Sequence, residues 1–200
     1  MKERPILFCA PMVRAILDGR KTQTRRIMKV QPPPDARVTV EHYTSIVTDR
    51  RYGDMKPGKE VFGALWDGGE CGLPCPYGQP GDRLWVRETW QRAATDTGEC
   101  LFYRADADES GPWRPSIHMP RWASRITLRI TDICVERLLD ISENDARAEG
   151  VSSEWDDYEK YGQSEPYRYG FSELWNSING ADAWDKNPWV WAISFERVQP

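Results

Sequence analysis

"ILDGRKTQTRR", residues 16–26, gathers Arg20, Lys21, Arg25 and Arg26 with the hydroxyls of Thr22 and Thr24 directly after what reads as the end of a helix. In "APMVRAILDG", residues 10–19, Pro11 suits a first helical turn, Val13, Ile16 and Leu17 fall on one face, and Gly19 suits the position just past the end. A short helix therefore delivers the chain into a basic loop punctuated by glycine. Such a loop binds phosphate, holds a nucleobase or sets a nucleophile beside a base; the ordinary alternative is a solvated turn.

Outward from this stretch the pattern changes twice. From Gln31 to Gly78 the sequence becomes irregular and dense in Pro and Gly, with one alternating run at Arg37–Tyr43, and is expected to be an insertion or flap without its own core. Beyond the turn "QPGD", residues 79–82, strand patterns take over. "RLWVRETW" sets Leu84, Val86 and Glu88 against Trp85 and Arg87, "CLFYRAD" forms another strand, and "RITLRITDICVERL" alternates Ile126, Leu128 and Ile130 with Thr127, Arg129 and Thr131. Two helices follow. "ISENDARAEG" carries Ser142 as N-cap, Asp145 three residues on and Gly150 as stop, and "FSELWNSING" places Phe171, Leu174, Trp175 and Ile178 on one face. "PWVWAISFERV", apolar on both sides at its start, suits a strand buried in the middle of the structure. The order is α+β, and a curled sheet or small barrel would hide its edges.

Composition narrows the class. Two hundred residues with 40% hydrophobic and 29% charged content describe one globular domain, residues 1–200, with the insertion at about 31–78. Ten Trp and eight Tyr point to an aromatic core or to flat surfaces for planar ligands. The net charge of −4 gives no overall attraction to nucleic acid, so any such binding must be local. The charge is polarised. Six cations between Met12 and Val30 oppose Asp18 alone, whereas nine carboxylates between Asp140 and Glu165 oppose only Arg147 and Lys160. Five cysteines without a regular framework suggest a reducing cytoplasm, and no stretch approaches a membrane span, so no membrane partner is expected.

"ILDGRKTQTRR", "PGDRLWVRETW", "ISENDARAEG" and the Trp-rich "NPWVWAISFE" together resemble the ASCH domain, of the PUA-like superfamily of small β-barrels. With "WRPSIHMPRWASRITL" ahead of the penultimate strand, the chain is similar to the longer ASCH proteins of tailed phages and prophages. The resemblance implies a PUA-like barrel with flanking helices, and two functional branches. Most PUA-like domains bind RNA or modified nucleotides in a cleft beside the barrel. One bacterial ASCH group consists of small amidohydrolases that remove the acetyl group of N4-acetylcytidine with a Lys, a Thr and a Glu. Carried over, these are Lys21, Thr24 and Glu149. The segment at about 31–78 has almost no counterpart in those small hydrolases.

The trio makes chemical sense independently. A threonine hydroxyl attacks only when a base takes its proton, and a lysine serves as that base only when desolvation or neighbouring cations lower its pKa. Arg20, Arg25 and Arg26 are such neighbours, and Glu149 would orient Lys21 or carry the leaving amine's proton. Residues three apart in a regular strand face opposite sides, so Lys21 must sit in the turn or the strand must bulge.

Arg20, Arg25, Arg26, Glu88, Trp85 and His118 are the candidates for holding a nucleoside or RNA ligand, and Trp113 and Trp122 also lie beside arginines. No cofactor and no metal is expected. Cys71 and Cys75, with Cys100 or His118, would make a zinc site only as a weaker alternative to free thiols. The expected function is therefore nucleotide- or RNA-directed, as an amidohydrolase of N-acylated nucleosides or, alternatively, a non-catalytic RNA or modified-base binding module or a ribonuclease.

Overall fold

The structure, a computed structural model, describes residues 1–48, 55–95, 98–107, 111–151 and 165–198. It is a mixed α+β architecture built mainly of sheet. The largest sheet has five strands: β1 (Glu3–Leu7), β2 (Gln23–Ile27), β6 (Arg83–Arg87), β9 (Thr127–Arg137) and β10 (Trp189–Val198), in the order β1-β6-β9-β10-β2. β1 runs parallel to β6, and the other neighbours are antiparallel. β10 sits between β9 and β2. That central place is why its sequence is apolar on both sides: every residue from Trp189 to Ile193 is buried.

β1 and β2 occupy the two edges of this order, and among the described residues no backbone pairing joins them. Helix α1 (Ala10–Leu17) connects them, with Pro11 in its first turn and Val13, Ala15 and Ile16 buried. A side chain spans the same gap, since the Arg26 guanidinium donates to the Leu7 carbonyl at 2.6 Å.

The segment expected to be irregular is more ordered than its Pro and Gly content suggests. It forms an antiparallel sheet of β3 (Thr39–Thr48), β4 (Met55–Trp66) and β5 (Cys71–Pro74). Its buried Ala64, Trp66 and Cys75 join the same core as Ile6, Phe8, Leu84 and Ile193. Pro57 is tolerated inside β4 because it pairs with Ile46 beside an irregularity in the β3–β4 register.

"RLWVRETW" divides. β6 ends at Arg87, and β7 (Trp90–Thr95) leaves to form a separate hairpin with β8 (Gly98–Tyr103). Helix α2 (Glu143–Ala148) has the expected cap, with Ser142 Oγ accepting from Asp145 N at 3.1 Å. Helix α3 (Pro166–Asn179) starts earlier than its apolar face suggests, and it packs Phe171 and Trp175 against Leu138, Ala146 and Val190 in a second buried cluster. No helix among the described residues is long and apolar enough to cross a membrane.

Candidate functional site

Lys21 lies just before β2, in an isolated antiparallel bridge with Glu149. Both chain segments are steered into it by glycines. Gly19, at φ +74°, ends the α1 turn, after which the amides of Arg20 and Lys21 both donate to the Ala15 carbonyl at 2.9 Å. Gly150, at φ +82°, turns the chain away after α2, and a β-carbon there would lie 2.7 Å from Lys21 Cβ and 2.9 Å from Ala15 Cβ. Glycine is thus required at position 150 both for its backbone angle and for the space beside Lys21.

The bridge position sets Lys21 before the strand rather than within it. Lys21 need not share a face with Thr24, because its side chain runs alongside the strand it precedes. Its Nζ donates to the Gln23 carbonyl at 2.9 Å, to the Glu149 carbonyl at 2.8 Å and to Glu149 Oε2 at 2.7 Å. The ammonium therefore touches the peptide that joins Gln23 to Thr24. Burial of Lys21 pushes its pKa below the ordinary lysine value, the Glu149 carboxylate opposes that shift, and Arg26 adds to it.

Glu149 is buried and shared between two cations. Its Oε1 accepts from Arg25 NH1 at 3.2 Å, while Arg25 Nε reaches Glu136 Oε1 at 2.7 Å and Arg25 NH1 reaches Gln23 Oε1 at 2.5 Å. Burial raises the pKa of Glu136, and the ion pair with Arg25 opposes the rise. In this network Lys21 and Arg25 of the basic stretch meet Glu149 of the acidic stretch, at the end of α2, together with Glu136 of β9.

The network opens on a pocket of ≈ 250 Å³. Thr24, Arg25, Arg26 and Glu149 form its polar side, and Tyr77, Phe171, Trp175 and Ile178 give it an apolar, largely aromatic wall. The volume falls just below that of typical small-molecule sites, which run upward from roughly 300 Å³, so the pocket has room only for a small group. Thr24 is brought there by the pairing of β2 with β10, where it faces Ile193.

The structure does not bring the other candidates to this pocket. Arg20 is exposed and bonds Asp18 and the Gly150 carbonyl. Glu88 is buried as an acid but is held by Arg125, Nε to Oε1 at 2.9 Å and NH2 to Oε2 at 3.0 Å, outside the lining of the Thr24 pocket. Trp85 lies on the outer face of β6 under the guanidinium groups of Arg87 and Arg121, and His118 is exposed in a single 3₁₀ turn. Trp122 is exposed and meets Trp90 edge to face at 5.8 Å. Cys71 and Cys75 are free thiols, and among the described residues no three His, Cys, Asp or Glu side chains cluster to hold a metal.

Sequence reasoning missed the aromatic wall. Phe171, Trp175 and Ile178 share one helix face in the sequence pattern, which does not show that the face also lines a pocket; Ile178 is 54% exposed. Tyr77, in the Pro/Gly-rich segment, carried no signal beyond its residue type.

Fold and site together define an α+β protein with a buried lysine–glutamate pair beside a small, largely aromatic pocket. Two solved structures are similar to the chain. One is a protein from Enterococcus faecalis V583 carrying the family designation DUF984, at 12% identity and a TM-score of 0.38 over 99% of this chain and 81% of that one. The other is an ASCH domain from Lactobacillus crispatus JV V101, at 15% identity and a TM-score of 0.36 over 98% and 79%. No family model and no curated protein matches the chain.

Proposed function

We propose that the protein removes an acyl group from N4-acylated cytidine or a related modified nucleoside, with Thr24 as nucleophile, Lys21 as its base, and Glu149 orienting Lys21. The observation that carries this reading is the 2.7 Å contact between Lys21 Nζ and Glu149 Oε2 beside a pocket lined by Thr24 and Glu149. We also take the five-stranded sheet as the wall of a PUA-like barrel, its seam crossed by the Arg26 to Leu7 bond, with residues 31–78 as the insertion.

In this reading the base needs a lysine in its neutral form, and burial favours that form. The Thr24 oxygen attacks the acyl carbon as Lys21 takes the hydroxyl proton. The carbon–nitrogen bond then breaks, and the proton passes from Lys21 to the leaving amine. Water hydrolyses the threonine ester, releasing the carboxylic acid and restoring the hydroxyl. Arg25 keeps Glu149 aligned from the far side of its carboxylate.

One observation favours a second reading, a non-catalytic RNA or modified-base binding module. A protonated lysine has three N–H bonds, and Lys21 Nζ has three acceptors, none of them Thr24. A fully satisfied cation of this kind would fix the walls of a binding pocket.

Incubation with N4-acetylcytidine, followed by mass spectrometry, separates the two. The enzyme reading expects cytidine and acetate in equal amounts, some turnover with Thr24→Ser and none with Lys21→Ala. Wild-type protein that binds the nucleoside and leaves it intact after prolonged incubation overturns the enzyme and establishes the binding module.

A further inference from the structure

The Thr24 pocket has a neighbour that its chemistry leaves unused. Ile27 and Asn179 line it and also line a second hollow of ≈ 580 Å³, so the two share a wall. The second hollow is walled by Pro32 and Pro34 and carries two cations, Arg137 and Lys186, with no carboxylate in its lining. Among the described residues neither cation has an acidic partner. Glu136, next to Arg137 in β9, already has Arg25.

The placement of these cations follows from the sheet. Ile27 pairs with Val190, and Trp189 pairs with Arg137, so Arg137 lies two strands across from the end of β2, about 10 Å at ordinary strand spacing. Its guanidinium packs 5.4 Å from the centre of the Trp189 ring, which holds the long side chain in place. Gln31 fixes the floor, with Oε1 accepting from Trp189 N at 2.7 Å and Nε2 donating to the Met28 carbonyl at 2.7 Å. A pair of unpartnered cations at one end of a cleft, with a small, largely aromatic pocket at the other, is complementary to a base that carries a phosphate.

We propose that the ligand is a nucleotide rather than a free nucleoside, with the base in the Thr24 pocket and the phosphate held by Arg137 and Lys186. This rests on the nucleoside reading above. It assigns a specificity role to Arg137 and Lys186, and it gives Pro32 and Pro34 of the 31–78 segment a place in the substrate cleft.

The test compares N4-acetylcytidine with its 5′- and 3′-monophosphates in wild-type protein and in Arg137→Met/Lys186→Met, which keeps the apolar stems. Affinity is measured by calorimetry and turnover by mass spectrometry. Wild type should bind at least one monophosphate about tenfold more tightly than the nucleoside, the double variant should lose that gain, and its nucleoside affinity should stay unchanged. Equal affinity for nucleoside and both monophosphates overturns the proposal even if all three are hydrolysed. Tighter monophosphate binding without hydrolysis supports it while removing the enzyme reading. Circular dichroism of the double variant checks folding; if that variant is unfolded, Arg137→Lys/Lys186→Gln takes its place, with a reduced phosphate gain expected.

Discussion

Glu149 and Glu88 are both buried carboxylates paired with cations, and the fold treats them in opposite ways. Glu88 gives both oxygens to one guanidinium, Arg125, which is in turn fixed by Asp106 at 2.5 and 2.9 Å and packs 4.0 Å from the Tyr103 ring centre. Glu149 divides its oxygens between Lys21 and Arg25 and keeps an edge on a pocket. Burial acts on both clusters in the same direction, toward the neutral form. It raises the pKa of Glu88 against the pull of Arg125, and it lowers that of Lys21. Glu88 is closed behind a bidentate arginine, whereas Glu149, the partner of Lys21, stands at a pocket that Thr24 also lines. Access to a pocket, not burial or charge, separates the two clusters.

The comparison breaks most visibly at Thr24. Thr24→Val, nearly isosteric, should lower turnover of the acylated substrate by about 10³-fold or more, because nucleophile and base act as one unit. If the pocket only binds, the same change should weaken affinity by no more than about tenfold, the loss of one neutral hydrogen bond. Single-turnover kinetics alongside calorimetry distinguish these results.

The next effect is on stability. Gly150→Ala should cost about 1–3 kcal/mol in chemical denaturation, since it combines a left-handed backbone with a β-carbon 2.7 Å from Lys21 Cβ. Gly19→Ala, at φ +74° with nothing within 4 Å, should cost only about 1 kcal/mol. Equal losses would show that the backbone beside Lys21 is not tightly constrained.

Two pH profiles sharpen the contrast. A base must be neutral, so kcat/KM should rise with pH and level off below the ordinary lysine value near 10.5, because burial lowers the pKa of Lys21. A rise still incomplete at that pH would remove Lys21 as the base. The smaller effect belongs to Glu88. Its native pKa is raised above 4.5, so its contribution to stability is fully present below that pH and is lost as pH rises through the native value. Glu88→Gln should flatten that decline in thermal melts taken across the acid range, and an unchanged slope would contradict the assignment.

The legible parts of this molecule were those written in local pattern. Pro11, Gly19, Ser142 and Gly150 marked helix ends that the structure keeps, and the doubly apolar start of β10 marked the central strand. β1 went unread because only Ile6 is buried in a five-residue strand, too little for an alternation to show. The strands between Gln31 and Gly78 were hidden for a different reason: their apolar residues pack on a core supplied mostly by the rest of the chain, so the local sequence is free to be rich in Pro and Gly. In the site, Lys21, Thr24 and Glu149 were nameable from the motif; Lys21 and Glu149 share a hydrogen-bond network, and Thr24 and Glu149 line the pocket beside it. Arg137, Lys186 and the aromatic wall were not nameable, because they meet the motif only through strand pairing and the packing of α3.

The bridge between Lys21 and Glu149 also has a meaning in time. Its partners are 128 positions apart, and Thr24 takes its place opposite Ile193, farther still along the chain. Contacts that close such long loops carry the largest entropic cost and govern how slowly a domain folds. Synthesis runs from the amino end, so the basic stretch emerges long before either the carboxylate or the strand that completes its surroundings. A growing chain therefore carries Lys21 as an ordinary hydrated cation, and its depressed basicity arrives only when the sheet closes around it.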